Sequence, residues 1–263
     1  MGQPGTVMKL DRGFPLVKLE DGTMLRCEHA TSLVKRKSLR AAIGDNVIVD
    51  IPNGHDKGVI EEVLPRRTQF VRRDPAERTS GQVLAANFHW VMVVEPLVQL
   101  NRKRLERELV LAHETGARVA VVLTKSDLAD EDPLRTRDEV AQLAGASVSV
   151  AVTSLSDAAS LDAVRKLIAP GEVAILIGKS GVGKSSLVNA LAGSRVQDTA
   201  SVRERDGKGR HTTVDRVMVP LPNGGAVVDM PGVRGLGLWD ADQGLELAFA
   251  DVEEIARNCR FRD

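Results

Sequence analysis

Gly178-Lys179-Ser180-Gly181-Val182-Gly183-Lys184-Ser185 is the stretch from which the rest of the chain is read. It matches G-x-x-x-x-G-K-[ST], follows the apolar run Val173-Ala174-Ile175-Leu176-Ile177 and precedes Ser186-Leu187-Val188-Asn189-Ala190-Leu191, which reads as the first turns of a helix. Strand, glycine-rich loop and helix together are the context that a phosphate-binding loop requires. The glycines let the backbone curl so that several N–H groups converge on a phosphate chain. The helix N-terminus adds partial positive charge, Lys184 reaches the β- and γ-phosphates, and Ser185 is placed to ligate Mg²⁺. A chance glycine-rich turn containing Lys is the alternative, and the strand–helix context weighs against it. The stretch reads as a nucleoside triphosphate site lined by Gly178, Lys179, Ser180, Gly181, Val182, Gly183, Lys184, Ser185 and Ser186.

Motifs on both sides of the loop narrow the nucleotide. Downstream, Asp229-Met230-Pro231-Gly232 ends an apolar strand and fits D-x-x-G. There Asp229 would hold Mg²⁺ through water and the Gly232 N–H would sense a γ-phosphate. Upstream, Thr124-Lys125-Ser126-Asp127 follows the apolar run 119–123 and approximates N-K-x-D. A carboxylate there accepts both the N1–H and the exocyclic amine of guanine, a pair of donors adenine lacks, while the Lys125 stem lies along the base. Thr124 stands where Asn is usual, leaving a hydroxyl where an amide would tie to the phosphate loop. Thr153-Ser154 could supply a backbone N–H to guanine O6. Lys208-Gly209-Arg210-His211-Thr212-Thr213 lies where a switch loop carries a Mg²⁺-ligating threonine, Thr212 or Thr213. The charged run 203–210 should be ordered only by a γ-phosphate.

The order of these motifs is diagnostic. In the usual arrangement the phosphate loop comes first and the guanine motif near the end. Here 124–127 and 153–154 precede 178–185, the switch threonines and then 229–232. Strands at 91–94, 119–123, 148–152, 173–177, 214–219 and 226–228 alternate with helices over 101–115, 133–144 and 158–168. That pattern predicts an α/β fold, a mostly parallel six-stranded sheet with helices on both faces. Cutting and rejoining such a sheet elsewhere keeps its loops on the same carboxyl edge, so the expectation is a circularly permuted GTPase.

Before it, β-prone runs at 5–8, 14–19, 23–28, 46–51 and 58–63, with turns at Asp21-Gly22 and Asn53-Gly54, predict a small all-β barrel. An OB-like barrel and an SH3-like one read alike at this level. Val34-Lys35-Arg36-Lys37-Ser38-Leu39-Arg40 falls between the third and fourth runs, and Arg66-Arg67 and Arg72-Arg73 follow the barrel. They read as a solvated loop and a charged linker or, taken together, as phosphate-backbone contacts to RNA.

At 263 residues, 43% hydrophobic and 27% charged, the chain has room for two domains and part of a third. No run is long and apolar enough to span a bilayer, and 1–5 lacks a signal-peptide pattern. Cys27 and Cys259 lie far apart, which suits a reducing cytoplasm. Zero net charge confines any nucleic-acid surface to a local patch, and 3% aromatics with no Tyr argue against a base-stacking platform.

Barrel and permuted order together resemble the small-ribosomal-subunit-dependent GTPases of bacteria, the RsgA/YjeQ type. The resemblance rests on 178–186, Gly209-Arg210-His211-Thr212-Thr213, Asp229-Met230-Pro231-Gly232-Val233-Arg234 and Thr124-Lys125-Ser126-Asp127-Leu128. It implies an RNA-binding OB-like barrel over 1–68, the permuted GTPase domain over 69–238, and the start of a C-terminal helical, zinc-binding segment over 239–263. It also implies hydrolysis of GTP to GDP and phosphate stimulated by the small ribosomal subunit, a role in late maturation of that subunit, contact with its rRNA, and a cytoplasmic monomer. Family members carry further Cys and His ligands beyond the position of Cys259; a single thiolate cannot make a four-ligand zinc site, so no zinc is expected on this chain as it stands. His29, His55, His89 and His113 read as surface or packing residues.

Val233 occupies the place after D-x-x-G where a water-orienting Gln often stands. His211 either swings in to orient the water or only shapes the switch loop. In both cases unassisted turnover is expected to be slow, on the order of 10⁻⁴ s⁻¹. The rival readings are a nucleotide-gated RNA-binding module that hydrolyses little, and an ATP-driven assembly factor.

Overall fold

The computed structural model describes residues 2–11, 14–37, 39–52, 54–73, 81–130, 132–196, 216–230 and 248. The barrel is built from β1 (Gln3–Asp11), β2 (Phe14–Leu19), β3 (Met24–His29), β4 (Asn46–Asp50) and β5 (Gly58–Val63). β1 pairs with β2, β2 with β3, and β4 with both β5 and β1, all antiparallel; β3 pairs with β5 in parallel. The circuit closes with a helix, α1 (Thr31–Lys37), between β3 and β4. That Greek-key circuit settles the choice in favour of an OB-like barrel. Alternate strand positions supply its core, with Val7, Val17, Cys27, Val47, Val49 and Ile60 fully buried and Leu33 of α1 seated among them. Two expectations are corrected here. The basic stretch 34–40 is not simply a loop, because its first part is helical and anchored by Leu33. The charged linker is not a linker either: β6 (Gln69–Arg73) and β7 (Gly81–Ala86) form an antiparallel hairpin whose Phe70 and Leu84 join the core of the following domain.

Six strands follow in the order β10-β9-β8-β11-β13-β12: β8 (Trp90–Pro96), β9 (Arg118–Thr124), β10 (Ser149–Val152), β11 (Val173–Ile177), β12 (Arg216–Pro220) and β13 (Ala226–Asp229). Five run parallel, and β12 is antiparallel to β13. Their near-continuous apolar sequences fit burial on both faces. Val91, Val93, Val121, Leu123, Ile175 and Ile177 face α2 (Arg102–His113) and α3 (Pro133–Ala144). Met92, Val94, Val122, Ala174 and Leu176 face α4 (Ala158–Lys166) and α5 (Lys184–Ala192). The helices start where capping chemistry permits: Asn101, Asp132 and Asp157 each accept a backbone N–H of the first turn, and Pro133 opens α3.

The barrel and this sheet are not separate bodies. β1 also pairs with β12, Lys9 opposite Val217 and Leu10 opposite Arg216, so eleven strands form one hydrogen-bonded sheet. A second tie lies at the turn before β4. Asp45, fully buried, accepts two hydrogen bonds of 2.7 Å from Arg66, while Asn87 donates to Gly44 O at 3.1 Å and accepts from Arg67 N at 2.9 Å. Gly44 has φ +83° and lies so close to Ala86 O that a Cβ would sit 2.2 Å from it. Arg66 is therefore committed to Asp45 rather than offered to RNA.

Candidate functional site

Parallel strands deliver their following loops to one edge, and three loops meet there. The first is 178–183, between β11 and α5. Gly178, Gly181 and Gly183 have φ of +139°, +86° and +106°, and the turn they make leaves the N–H groups of Ser180, Gly181 and Gly183 without a partner among the described residues. The first turn of α5 adds its own N-terminal field. Lys184 is buried, and its Nζ donates to the carbonyls of Gly178 (2.7 Å) and Lys179 (3.0 Å). A loop of unpartnered N–H groups with an ammonium beside it suits a chain of phosphates.

The second loop follows β9. Thr124 is buried and its hydroxyl lies 2.7 Å from Val182 O and 3.3 Å from Glu95 O, so the single hydroxyl does tie this loop to the phosphate cradle. Lys125, at φ +61°, donates from Nζ to Gly181 O at 3.0 Å. Asp127 is exposed, and its Oδ1 accepts a 2.6 Å hydrogen bond from Ser154 Oγ. Thr153 and Ser154 come from the third loop, after β10. Their own N–H groups are spent inside the protein, on Leu123 O (2.8 Å) and on Ser160 Oγ (3.2 Å). The next N–H, that of Leu155, has no partner among the described residues, and its side chain is exposed. The backbone donor expected of Thr153-Ser154 is therefore already bonded within the protein. A hydroxyl that orients the Asp127 carboxylate is what Ser154 contributes instead.

At the far side of the loop, Ser185 Oγ donates to Asp229 Oδ2 at 2.7 Å, and Asp229 Oδ1 is buried without a partner among the described residues. Burial holds the Asp229 carboxyl above its ordinary range, against the pull of the Ser185 hydrogen bond and the Lys184 charge. A buried carboxylate oxygen with nothing to satisfy it, next to a hydroxyl, is a fitting donor set for a hard cation. No cluster of three or more His, Cys, Asp or Glu with metal-binding spacing occurs among the described residues. His89 and His29 accept backbone N–H groups of Val173 and Ala41, which makes them packing residues. His211, Thr212, Thr213, Gly232 and Cys259 lie outside the described residues. So does nearly all of the segment 239–263.

The family model described as RsgA GTPase matches residues 63–239. The chain belongs to the RsgA GTPase family. A relative from Streptomyces coelicolor named small ribosomal subunit biogenesis GTPase RsgA is 42% identical over 262 residues, covering 99% of this chain and 70% of the relative. Among solved structures, YjeQ from Thermotoga maritima superposes with a TM-score of 0.71 at 23% identity, covering all of this chain and 94% of that one. A structure titled YloQ, a circularly permuted GTPase, gives 0.68 at 22% identity, with 100% and 83% covered. At those identities the likeness concerns the fold, and it is the fold the motif order predicted. In this member of the RsgA GTPase family, a charged group went unread in the sequence: Glu95, buried at the end of β8, with the half-buried Arg104 and Glu108 on α2. The available signal was a lone carboxylate directly after the apolar run 91–94.

Proposed function

We propose that the chain binds GTP with its guanine on Asp127 and its phosphates on the 178–185 loop, and hydrolyses it as a factor in small-ribosomal-subunit biogenesis. One observation carries the reading: the Thr124–Val182 and Lys125–Gly181 hydrogen bonds bring the upstream base loop onto the downstream phosphate loop, so one ligand spans both. Asp127, steadied by Ser154, accepts the two donors on the guanine edge, and the Leu155 N–H is the donor for O6. Lys184, parked on Gly178 and Lys179 carbonyls, turns to the phosphates when they enter.

Ser185 and Asp229, with Thr212 or Thr213, would hold Mg²⁺, whose chemistry is to offset the charge that builds on the phosphate oxygens. Catalysis of phosphoryl transfer is then mostly positioning and charge neutralisation. Val233 offers no hydrogen bond to the attacking water, and His211, next to the switch threonines, is the residue assigned to orient it. The exposed Lys35, Arg40, Arg67 and Arg72 lie on or beside the barrel, where cations fit an rRNA backbone. The partner is the small ribosomal subunit, the protein acts as a monomer, and the compartment is the cytoplasm.

The test is GTP turnover with and without purified small subunits. A basal rate on the order of 10⁻⁴ s⁻¹ that rises at least a hundredfold supports the proposal. Equal rates with nucleotide-dependent RNA binding would favour a nucleotide-gated binding module instead.

A further inference from the structure

Among the described strands, β8 holds a place no other does. It pairs on one side with β9, which ends in the base loop, and on the other with β11, which ends in the phosphate loop. Its last buried residue, Glu95, is fully enclosed and takes a bidentate hydrogen bond from Arg104, one arm at 2.6 Å. Arg104 is itself fixed at the start of α2, where its N–H caps on Asn101 Oδ1 at 3.0 Å. From Glu95 the contacts run outward to both loops. The Thr124 hydroxyl, whose proton goes to Val182 O at 2.7 Å, lies 3.3 Å from the Glu95 carbonyl, and the Thr124 carbonyl accepts the Leu97 N–H at 2.8 Å. One residue earlier, Val94 O lies so near Gly178 that a Cβ there would sit 2.3 Å away. Glu108, one turn beyond Arg104, completes the group with a buried carboxyl oxygen that has no partner among the described residues. Burial, then the Glu95 charge, pushes its carboxyl up to about 8, against the pull of Arg104 and Lys184. Glu95 and Arg104 offset each other's charge as an ion pair.

We infer that Glu95, clamped by Arg104, is a positioning residue that sets the spacing between the base loop and the phosphate loop. This rests on the nucleotide reading above. A ligand that touches both loops gains from their fixed separation as a linked pair of contacts does, whereas a ligand that touches one gains nothing from it. The pair should thus matter to guanine nucleotides and not to their phosphates alone.

The experiment compares GDP with inorganic pyrophosphate, each titrated in the presence of Mg²⁺, on the full chain and on Glu95→Leu/Arg104→Met. Replacing both partners of a buried ion pair by apolar side chains is often neutral for stability, so a purely structural pair would leave both affinities unchanged. The expected result is a folded variant whose GDP affinity falls about tenfold while pyrophosphate affinity holds. Equal weakening of both, or of neither, overturns the inference. Should the double variant not fold, Arg104→Lys keeps the charge but loses the bidentate grip on Glu95; it must show the same selective loss, and an unchanged GDP-to-pyrophosphate ratio overturns the inference. Absence of any guanine preference in the unaltered chain would instead sink the functional proposal on which it rests.

Discussion

The two halves of the proposed site are made of different material. The phosphate loop is backbone: three glycines at positive φ, a helix N-terminus, and a buried lysine bonded to the loop's own carbonyls. The base loop is side chains: an exposed carboxylate, one hydroxyl that aims it, and one hydroxyl that ties it down. Main-chain recognition tolerates almost no change of sequence, because only glycine fits the required conformations. Side-chain recognition can be met in several ways. Here a threonine provides the anchor on the neighbouring loop that an asparagine amide would otherwise provide, so the motif looks degraded while its tie to the cradle is intact.

That contrast can be broken from the backbone side first. Gly178→Ala would place a methyl 2.3 Å from Val94 O at φ +139°, where something must shift. Such a substitution should cost roughly 3 kcal/mol, read as a lower urea midpoint, and nucleotide binding should weaken with it. A variant as stable as the parent would mean that the cradle is not backbone-limited.

A smaller effect sharpens the electrostatic side. The Glu108 carboxyl is raised to about 8, chiefly by burial. The folded chain therefore holds a proton that the unfolded chain releases in the ordinary glutamate range, and stability should fall as pH rises from about 4.5 towards 8, then level off. Asp229 is raised as well and acts with the same sign. The difference between the parent and Glu108→Gln isolates one group: urea midpoints from pH 5 to 9 should slope less in the variant. Identical slopes would remove Glu108 as a buried acid.

Much of this was legible because it follows from local chemistry. The hydrophobic runs, the Asn101, Asp132 and Asp157 caps and the glycine-rich motif place helices, strands and the loop before α5 within a few residues. What escaped was set by distant partners. The β6–β7 hairpin looked like a charged linker because Arg72 and Arg73 mask the buried Phe70 and Leu84. The pairing of β1 with β12 joins residues more than two hundred positions apart, and nothing in either strand announces it. Arg66 read as an RNA contact because its partner, Asp45, sits on the barrel. Likewise Ser154 could be assigned to the base site, but its role in orienting Asp127 depends on a β9–β10 register that only the fold supplies.

The central claim is that Asp127, far upstream of the cradle, chooses the base. Asp127→Asn reverses the donor–acceptor pattern presented to the purine while leaving the phosphate loop untouched. Titrating the parent and the variant with GTP and with xanthosine triphosphate should show GTP preferred by the parent and xanthosine triphosphate preferred by the variant, a swing of at least about a hundredfold in the ratio. An unchanged ratio would contradict the account.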